Sequence, residues 1–449
     1  MAPNEAWYQP IMDTLRRASI ALTALTALAG GCAGTSHGSV VPDGGSVDAG
    51  NPARDLDGAR AVPRRDAATK ADASSHADGG KATGLRVVMG AGGSPGHIVN
   101  AAGQIVQLHG IDRSGTEYAC IQGWGIFDGP SDQTSVDAIK SWNADAVRVP
   151  LNEDCWLGIN GVGSSYGGAS YVSAITDYVN LLTKNDLVVI LDLHWSAPGT
   201  EPATGQLNMA DLDHSPTFWS QVAAAFASNG SVIFDLFNEP FITDWGCWVS
   251  GGACGIDSAS APFTAAGMAT LLKAVRTAGA SNVVILGGLG YSSDFSQWVQ
   301  SVSTITTLAA PLDGISLANV AASWHEYDFG STNTGCPSQY NGYSTSATCY
   351  SGLATATNTQ ITSVLAAGYP MILGESGISA YKTATPFSAS QVTELETWYN
   401  SLLTWVEQQG QGYLAWTWNT DGDPYLLLDY TGTPTPGFGQ TYQAHIKGL

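Results

Sequence analysis

The hydrophobic pattern of this chain changes character twice along its 449 residues. After Arg16-Arg17, an apolar run from Ala18 to Ala29 gives way to Gly30-Gly31-Cys32. A basic flank, an apolar segment and small residues, in that order, predict an export signal over residues 1–32. The run is too short to anchor permanently in a bilayer, which needs about 20 residues. Residues 33–84 hold Gly, Ala, Asp, Ser and Pro with scattered Arg, have no aromatic residue and show neither a period of 2 nor one of 3.6. Such a stretch cannot bury a core and reads as a disordered linker.

From Leu85 onward the pattern alternates. Leu85–Val88 and His97–Val106 read as short strands with a turn at Asn100–Gly103, a β-ribbon ahead of the main fold. Strand-like runs follow at Val106–Ile111, Ala146–Pro150, Leu187–Leu193, Val232–Phe237, Val283–Leu286, Val320–Trp324, Met371–Gly374 and Tyr413–Trp416. Between most of them lie stretches with helical spacing, at Ser135–Trp142, Tyr171–Lys184, Pro216–Ala227, Phe263–Ala278, Gln360–Ala367 and Ser390–Gln408. Near-continuous apolar strands alternating with helices predict an α/β protein with a buried parallel sheet. Over residues 85–449 the spacing fits a closed (β/α)8 TIM barrel, with no second folded domain.

In such a barrel the strand ends share one rim, where chemistry sits. The second strand ends in Arg148-Val149-Pro150, the third in Asp192-Leu193-His194-Trp195 and the fourth in Asn238-Glu239-Pro240. The sixth ends in Trp324-His325-Glu326-Tyr327, the seventh in Glu375 and the eighth in Trp416-Thr417-Trp418-Asn419. A structural rim would be Gly, Asn and Ser. Two carboxylates across a pocket of amide, imidazole and indole groups are what cleavage of a glycosidic bond requires, one protonated to assist the departing oxygen and one ionised to attack the anomeric carbon. Asn238 suits a sugar 2-hydroxyl, Arg148 and Tyr327 can hold Glu375 ionised, His194 and His325 can fix sugar hydroxyls or tune the acid, and Trp416 or its rival Trp418 can face a pyranose ring. Trp124, Trp156, Trp195, Trp245 and Trp248 are further aromatic candidates, about half of which are expected to be packing. Asp192 can hold Arg148 or join a network inside the barrel, Glu326 is expected at the surface, and Asn152-Glu153-Asp154 with Cys155 is expected to pin a loop.

From Leu85 to its end the chain resembles glycoside hydrolase family 5, within the clan of retaining barrel glycosidases. The family's Arg falls on Arg148, its His on His194, its Asn-Glu-Pro on Asn238, Glu239 and Pro240, its His-x-Tyr on His325 and Tyr327, its second Glu on Glu375 and its last Trp on Trp416. The resemblance implies Glu239 as acid/base, Glu375 as nucleophile, a β-glycan polysaccharide or oligosaccharide as substrate, and a monomer that needs no metal or organic cofactor. An endo-β-1,4-glucanase is the expected activity, with β-mannanase and exo-β-glucosidase as alternatives inside the family. An inactive carbohydrate-binding surface protein would lack one carboxylate, and both are present.

Charge and cysteines refine this picture. Residues 1–84 are nearly balanced, so almost all of the net charge of −21 belongs to the barrel. Phosphate backbones would be repelled, which excludes nucleic acid, whereas a neutral polymer is indifferent. Apart from Cys32, six Cys remain in a chain expected outside the cell or on its surface, and disulfides are the default there. Cys247 with Cys254 and Cys336 with Cys349 are close pairs in loop-like sequence, which leaves Cys120 with Cys155. Cys32 after two Gly matches a bacterial lipid-attachment site, but Leu28 sits one place too far away, so free secretion and lipid anchoring through Cys32 are both open.

Overall fold

The computed structural model describes residues 84–257, 261–309, 318–328, 359–378, 389–422 and 424–449. The expected export signal, the expected linker up to residue 83, Cys32 and the expected Cys336–Cys349 pair lie outside the described residues.

Eight strands close into a parallel barrel. They are β1 (His109–Asp112), β2 (Ala146–Asn152), β3 (Val188–Trp195), β4 (Val232–Asp235), β5 (Val284–Gly287), β6 (Val320–Tyr327), β7 (Met371–Gly377) and β8 (Gly412–Ala415). Each pairs with the next in sequence, and β8 returns to β1. The outer helices are α1 (Gln133–Lys140), α2 (Ala169–Lys184), α3 (Ser215–Phe226), α4 (Met268–Thr277), α5 (Trp298–Ala309), α6 (Thr359–Ala366), α7 (Ala389–Gln408) and α8 (Phe438–Lys447). All eight expected strands are present; the helices α5 and α8 are additions.

The period of 2 splits the apolar residues into two cores. In β2, Val147, Val149 and Leu151 face outward into the barrel–helix layer, while Ala146 belongs to an inner cluster with Val188, Ile233, Ile372 and Leu414. Helices meet the outer layer on one stripe; in α2 it is Tyr171, Ile175, Tyr178, Val179 and Leu182. Indole groups fasten this layer to the barrel: Trp219, Trp248 and Trp298 donate to the carbonyls of Leu236, Gly287 and Leu286 at 2.9–3.0 Å. The ribbon pairs Arg86–Val88 with His97–Val99, and Leu85 and Ile98 join the inner cluster beneath the barrel. It therefore plugs the N-terminal mouth and leaves the opposite mouth for chemistry.

Phe263–Ala266, expected as the start of a helix, is instead part of a strand. Pro262–Ala266 pairs with Gly251–Ile256 as an antiparallel hairpin, and α4 begins only at Met268. Ala-rich sequence favours a helix locally, but pairing with the hairpin, and of Ala265 with Asp211, overrides that preference. The described disulfides are Cys120–Cys155 and Cys247–Cys254, and both match the expected pairing.

Candidate active site

Inside the open mouth a single cation is surrounded by acids. Arg148, fully buried on β2, donates from Nη1 to Glu375 Oε1 at 2.6 Å and to Asp112 Oδ1 at 3.1 Å. Its Nη2 reaches Asp235 at 3.2 Å, Asp192 at 3.3 Å and Asn238 Oδ1 at 2.7 Å. The period of 2 explains this convergence, because Asp112, Arg148, Asp192 and Asp235 occupy inward positions of four successive strands. One guanidinium cannot neutralise four carboxylates in a dry interior, so some must keep their protons. Burial pushes Asp112 upward and lifts Asp235 to about 7 against the pull of Arg148. Among the described residues Asp112 Oδ2 and Asp235 Oδ1 find no hydrogen-bond partner, as expected of carboxyl oxygens left outside the ionic contacts.

Negative charge is concentrated instead on Glu375. Burial opposes its ionisation, but the charges of His325, Arg148 and His194 and the hydroxyl of Tyr327, which donates to Oε2 at 2.7 Å, outweigh burial and lower it to about 2. Glu375 faces inward only because the strand is irregular. Trp324 pairs with Leu373 and His325 with Glu375, so Gly374 is an extra residue in β7 and reverses the facing of Glu375 and its successors. A Cβ at Gly374 would lie 2.6 Å from Ser323 Oγ and 3.2 Å from His325 Nε2, which leaves room for glycine alone.

Glu239 lies beyond β4 and keeps 15% of its side chain exposed. His325 Nδ1 is 2.9 Å from its Oε1 and 3.6 Å from Glu375 Oε2, so one imidazole touches both carboxylates. Oxygens of Glu239 and Glu375 lie within 4.8 Å of one another. Asn238 spends its carbonyl oxygen on Arg148, which leaves its amide as a donor. His194 is held by Asp192 at 2.7 Å; burial would lower it, but that carboxylate raises it to about 9. The His194 ring lies parallel to Trp416, with centroids 5.3 Å apart.

The structure thus gathers Arg148, His194, Asn238, Glu239, His325, Tyr327, Glu375 and Trp416 at one mouth. Trp418 does not join them. It is buried in the barrel–helix layer, edge-on to Trp142 with ring centroids 4.9 Å apart, and its expected role in sugar binding is corrected to packing. Trp156, Trp245 and Trp248 are buried packing residues too, whereas Trp124 is exposed. Glu326 is buried rather than at the surface. Asp192 serves both Arg148 and His194, and Asp154 holds the next loop by accepting from Ala203 N at 2.8 Å.

Several residues at this mouth escape sequence reading. Gln206 touches Glu239 from the β3–α3 loop. Tyr291, half-exposed and stacked on Phe241 at 4.8 Å, stands on left-handed backbone (φ 61°) and donates from its amide to Pro240 O at 3.0 Å. Ser292 Oγ donates to Asn238 O at 2.8 Å, so both neighbours of Glu239 are held from the β5 side. Glu117, buried and raised by that burial to about 7, faces the charge of His194. The inward Asp112 and Asp235 could have been found by counting alternate positions from Arg148; the loop residues carry no such signal.

A model of the cellulase family, glycosyl hydrolase family 5, matches residues 99–422. The chain is 28% identical over 242 residues to an endoglucanase from Neurospora crassa, covering 51% of this chain and 53% of that protein. It is 20% identical over 333 residues to a mannan endo-1,4-beta-mannosidase from Salipaludibacillus agaradhaerens, covering 74% of this chain and 82% of that protein. The alignments span about a quarter to half the length of the curated endoglucanases matched. A β-glucanase from Saccharophagus degradans, solved with cellotetraose, shares the fold at a TM-score of 0.54 and 14% identity, covering 82% of this chain and 93% of that one. The family match takes in the barrel from β1 to β8 together with the residues gathered around Glu239 and Glu375, and the chain belongs to the cellulase family, glycosyl hydrolase family 5.

Proposed function

We propose that this protein is an exported, monomeric glycosidase that hydrolyses internal β-1,4 bonds of a glucan with retention of configuration, without a metal or organic cofactor. The observation that carries this reading is the pair Glu239 and Glu375, with oxygens within 4.8 Å of one another. Retaining enzymes separate their carboxyl groups by about 5–5.5 Å, and inverting ones by roughly 6.5–9.5 Å to admit a water. Glu375, depressed to about 2, is ionised at any working pH and attacks the anomeric carbon. Glu239 gives its proton to the departing oxygen as that carbon–oxygen bond breaks. It then takes a proton from water, whose oxygen attacks the same carbon and releases Glu375. The free amide of Asn238 is suited to the sugar 2-hydroxyl, a contact that strengthens as the transition state forms. Trp416, with the parallel ring of His194 stacked on it, is suited to offer a flat apolar face to the sugar ring.

A second reading, β-mannanase, is favoured by the length of the match to the mannan endo-1,4-beta-mannosidase. Both use the same two carboxylates. Product analysis on carboxymethyl cellulose, β-glucan, mannan and xyloglucan separates them: random scission of glucan is expected, and mannan cleaved in preference to glucan would select the second reading. Assaying washed cells and culture fluid separately tests export, which residues 1–32 and two disulfides support. Glu239→Gln and Glu375→Gln are each expected to lower polymer hydrolysis by about 10²–10⁴-fold or more with the fold intact; near-normal turnover by either variant would sink the assignment.

A further inference from the structure

Gln206 reaches residue 239 twice. Its Nε2 lies 3.1 Å from the Glu239 main-chain oxygen and 3.2 Å from carboxylate Oε2. A primary amide carries two hydrogens, so both bonds can be made together, tying the backbone and the carboxylate of one residue to a single group. The loop behind Gln206 is clamped on both sides. Toward β2, Asn152 Nδ2 donates to Ala203 O and Asp154 accepts from Ala203 N, each at 2.8 Å. Toward β4, Phe241 N donates to Asn208 O at 3.1 Å, and the hairpin adds Ala266 N to Ala210 O at 2.8 Å and Leu212 N to Thr264 O at 2.9 Å. Leu207 and Met209 are buried on either side of Asn208. A side chain supported in this way can hold a carboxylate in a chosen direction.

Other groups around Glu239 are ionisable. His325 from β6 touches Oε1, Glu375 from β7 has an oxygen within 4.8 Å, and the hydroxyls of Tyr327 and Tyr291 are both raised, chiefly by burial and further by the charge of Glu239. Gln206 differs from all of these in being neutral at every pH and, through Nε2, a donor only.

We propose that Gln206 is a positioning residue for the acid/base carboxyl, aiming Glu239 at the glycosidic oxygen and favouring its ionised form when it must activate water. This rests on the assignment of Glu239 as acid/base. An N–H donated to a carboxylate stabilises the charged form, so its loss lets Glu239 keep its proton to higher pH. In Gln206→Ala the alkaline limb of kcat/KM on glucan moves up by roughly one pH unit. The value of kcat/KM falls about tenfold on polymer, as expected of a misaligned group. The fall is smaller on a dinitrophenyl cellobioside, whose leaving group needs no proton. Gln206→Glu keeps the shape, sets a second carboxylate beside Glu239 and moves the limb at least as far. Alkaline limbs of both variants superimposed on that of the parent enzyme would overturn the proposal whatever happens to kcat or Tm, since a purely structural side chain leaves the limb in place. Glu239→Gln, assayed beside them, separates the two layers. Near-normal polymer turnover by that variant removes the acid/base reading itself; its inactivity with unmoved limbs in the Gln206 variants removes only the role of Gln206.

Discussion

Trp416 and Trp418 are two residues apart on the chain and differ in everything that decides what an indole does. Trp416 stacks on His194 at the open mouth, and Trp418 is wedged against Trp142 in the outer layer. Replacing each by Ala should therefore split the phenotype. Trp418→Ala is expected to cost about 3–5 kcal/mol of stability, the usual range for emptying an aromatic core site. Trp416→Ala is expected to lower kcat/KM on polymer by roughly tenfold, equivalent to about 1.4 kcal/mol of lost sugar contact, with a much smaller change in Tm. Thermal melts beside steady-state kinetics test the contrast, and equal Tm losses would contradict it. Gly374 shows the same sensitivity to single positions: without its extra, Cβ-free residue the strand would point Glu375 away from Arg148 and Tyr327.

The loops that shape the mouth are built from elements too short to be stable alone, and covalent links supply part of what they lack. Cys120–Cys155 closes 35 residues between the β1 loop and the short helix Glu153–Leu157, whereas Cys247–Cys254 closes 7 within the β4 loop. Chain-entropy arguments assign the longer closure about 4 kcal/mol and the shorter about 2.5 kcal/mol. Both cysteines of the first bridge are also buried, so removing it opens space in the core. Cys120→Ser with Cys155→Ser should then lower Tm more than Cys247→Ser with Cys254→Ser. Calorimetry of the two double variants decides this, and the reverse order would mean that the hairpin Gly251–Ile256/Pro262–Ala266 depends on its bridge more than the β2 loop does.

Buried protons, rather than apolar contacts, set how the stability of the fold is expected to vary with pH. Glu117 and Asp235 are raised to about 7, chiefly by burial, so the folded chain holds protons there that the unfolded chain has lost by about pH 4–5. Stability contributed by these groups is present at low pH and is lost as pH rises through about 7. His194, at about 9, acts in the same direction: its contribution is complete below about pH 6.5 and fades as pH climbs through 9. Glu375 acts oppositely. Depressed to about 2, it stabilises the fold above about pH 4.5, and that stability is lost as pH falls toward 2. Tm should therefore be greatest near pH 5 and fall toward pH 8 as well as toward pH 3. A Tm higher at pH 8 than at pH 5 would mean that Glu117 and Asp235 are ionised in the folded protein.

Local pattern carried the barrel and most of its rim. Eight apolar runs alternating with helical spacing, and polar groups at their C-terminal ends, are properties of neighbouring residues, and the eight strands and the cluster around Glu239 and Glu375 emerge from them. Arg148 among acids is legible in the same way, since inward positions recur every second residue. What neighbours in sequence cannot encode is a contact whose partners are far apart along the chain. The bulge at Gly374 depends on how β6 and β7 register, the hairpin at Pro262–Ala266 on pairing that outweighs helical preference, and the sorting of Trp416 from Trp418 on which side of the barrel wall each ring falls. Gln206 belongs to this second kind: nothing near it in the chain marks it, and only the folding of the β3–α3 loop over β4 brings its amide to Glu239.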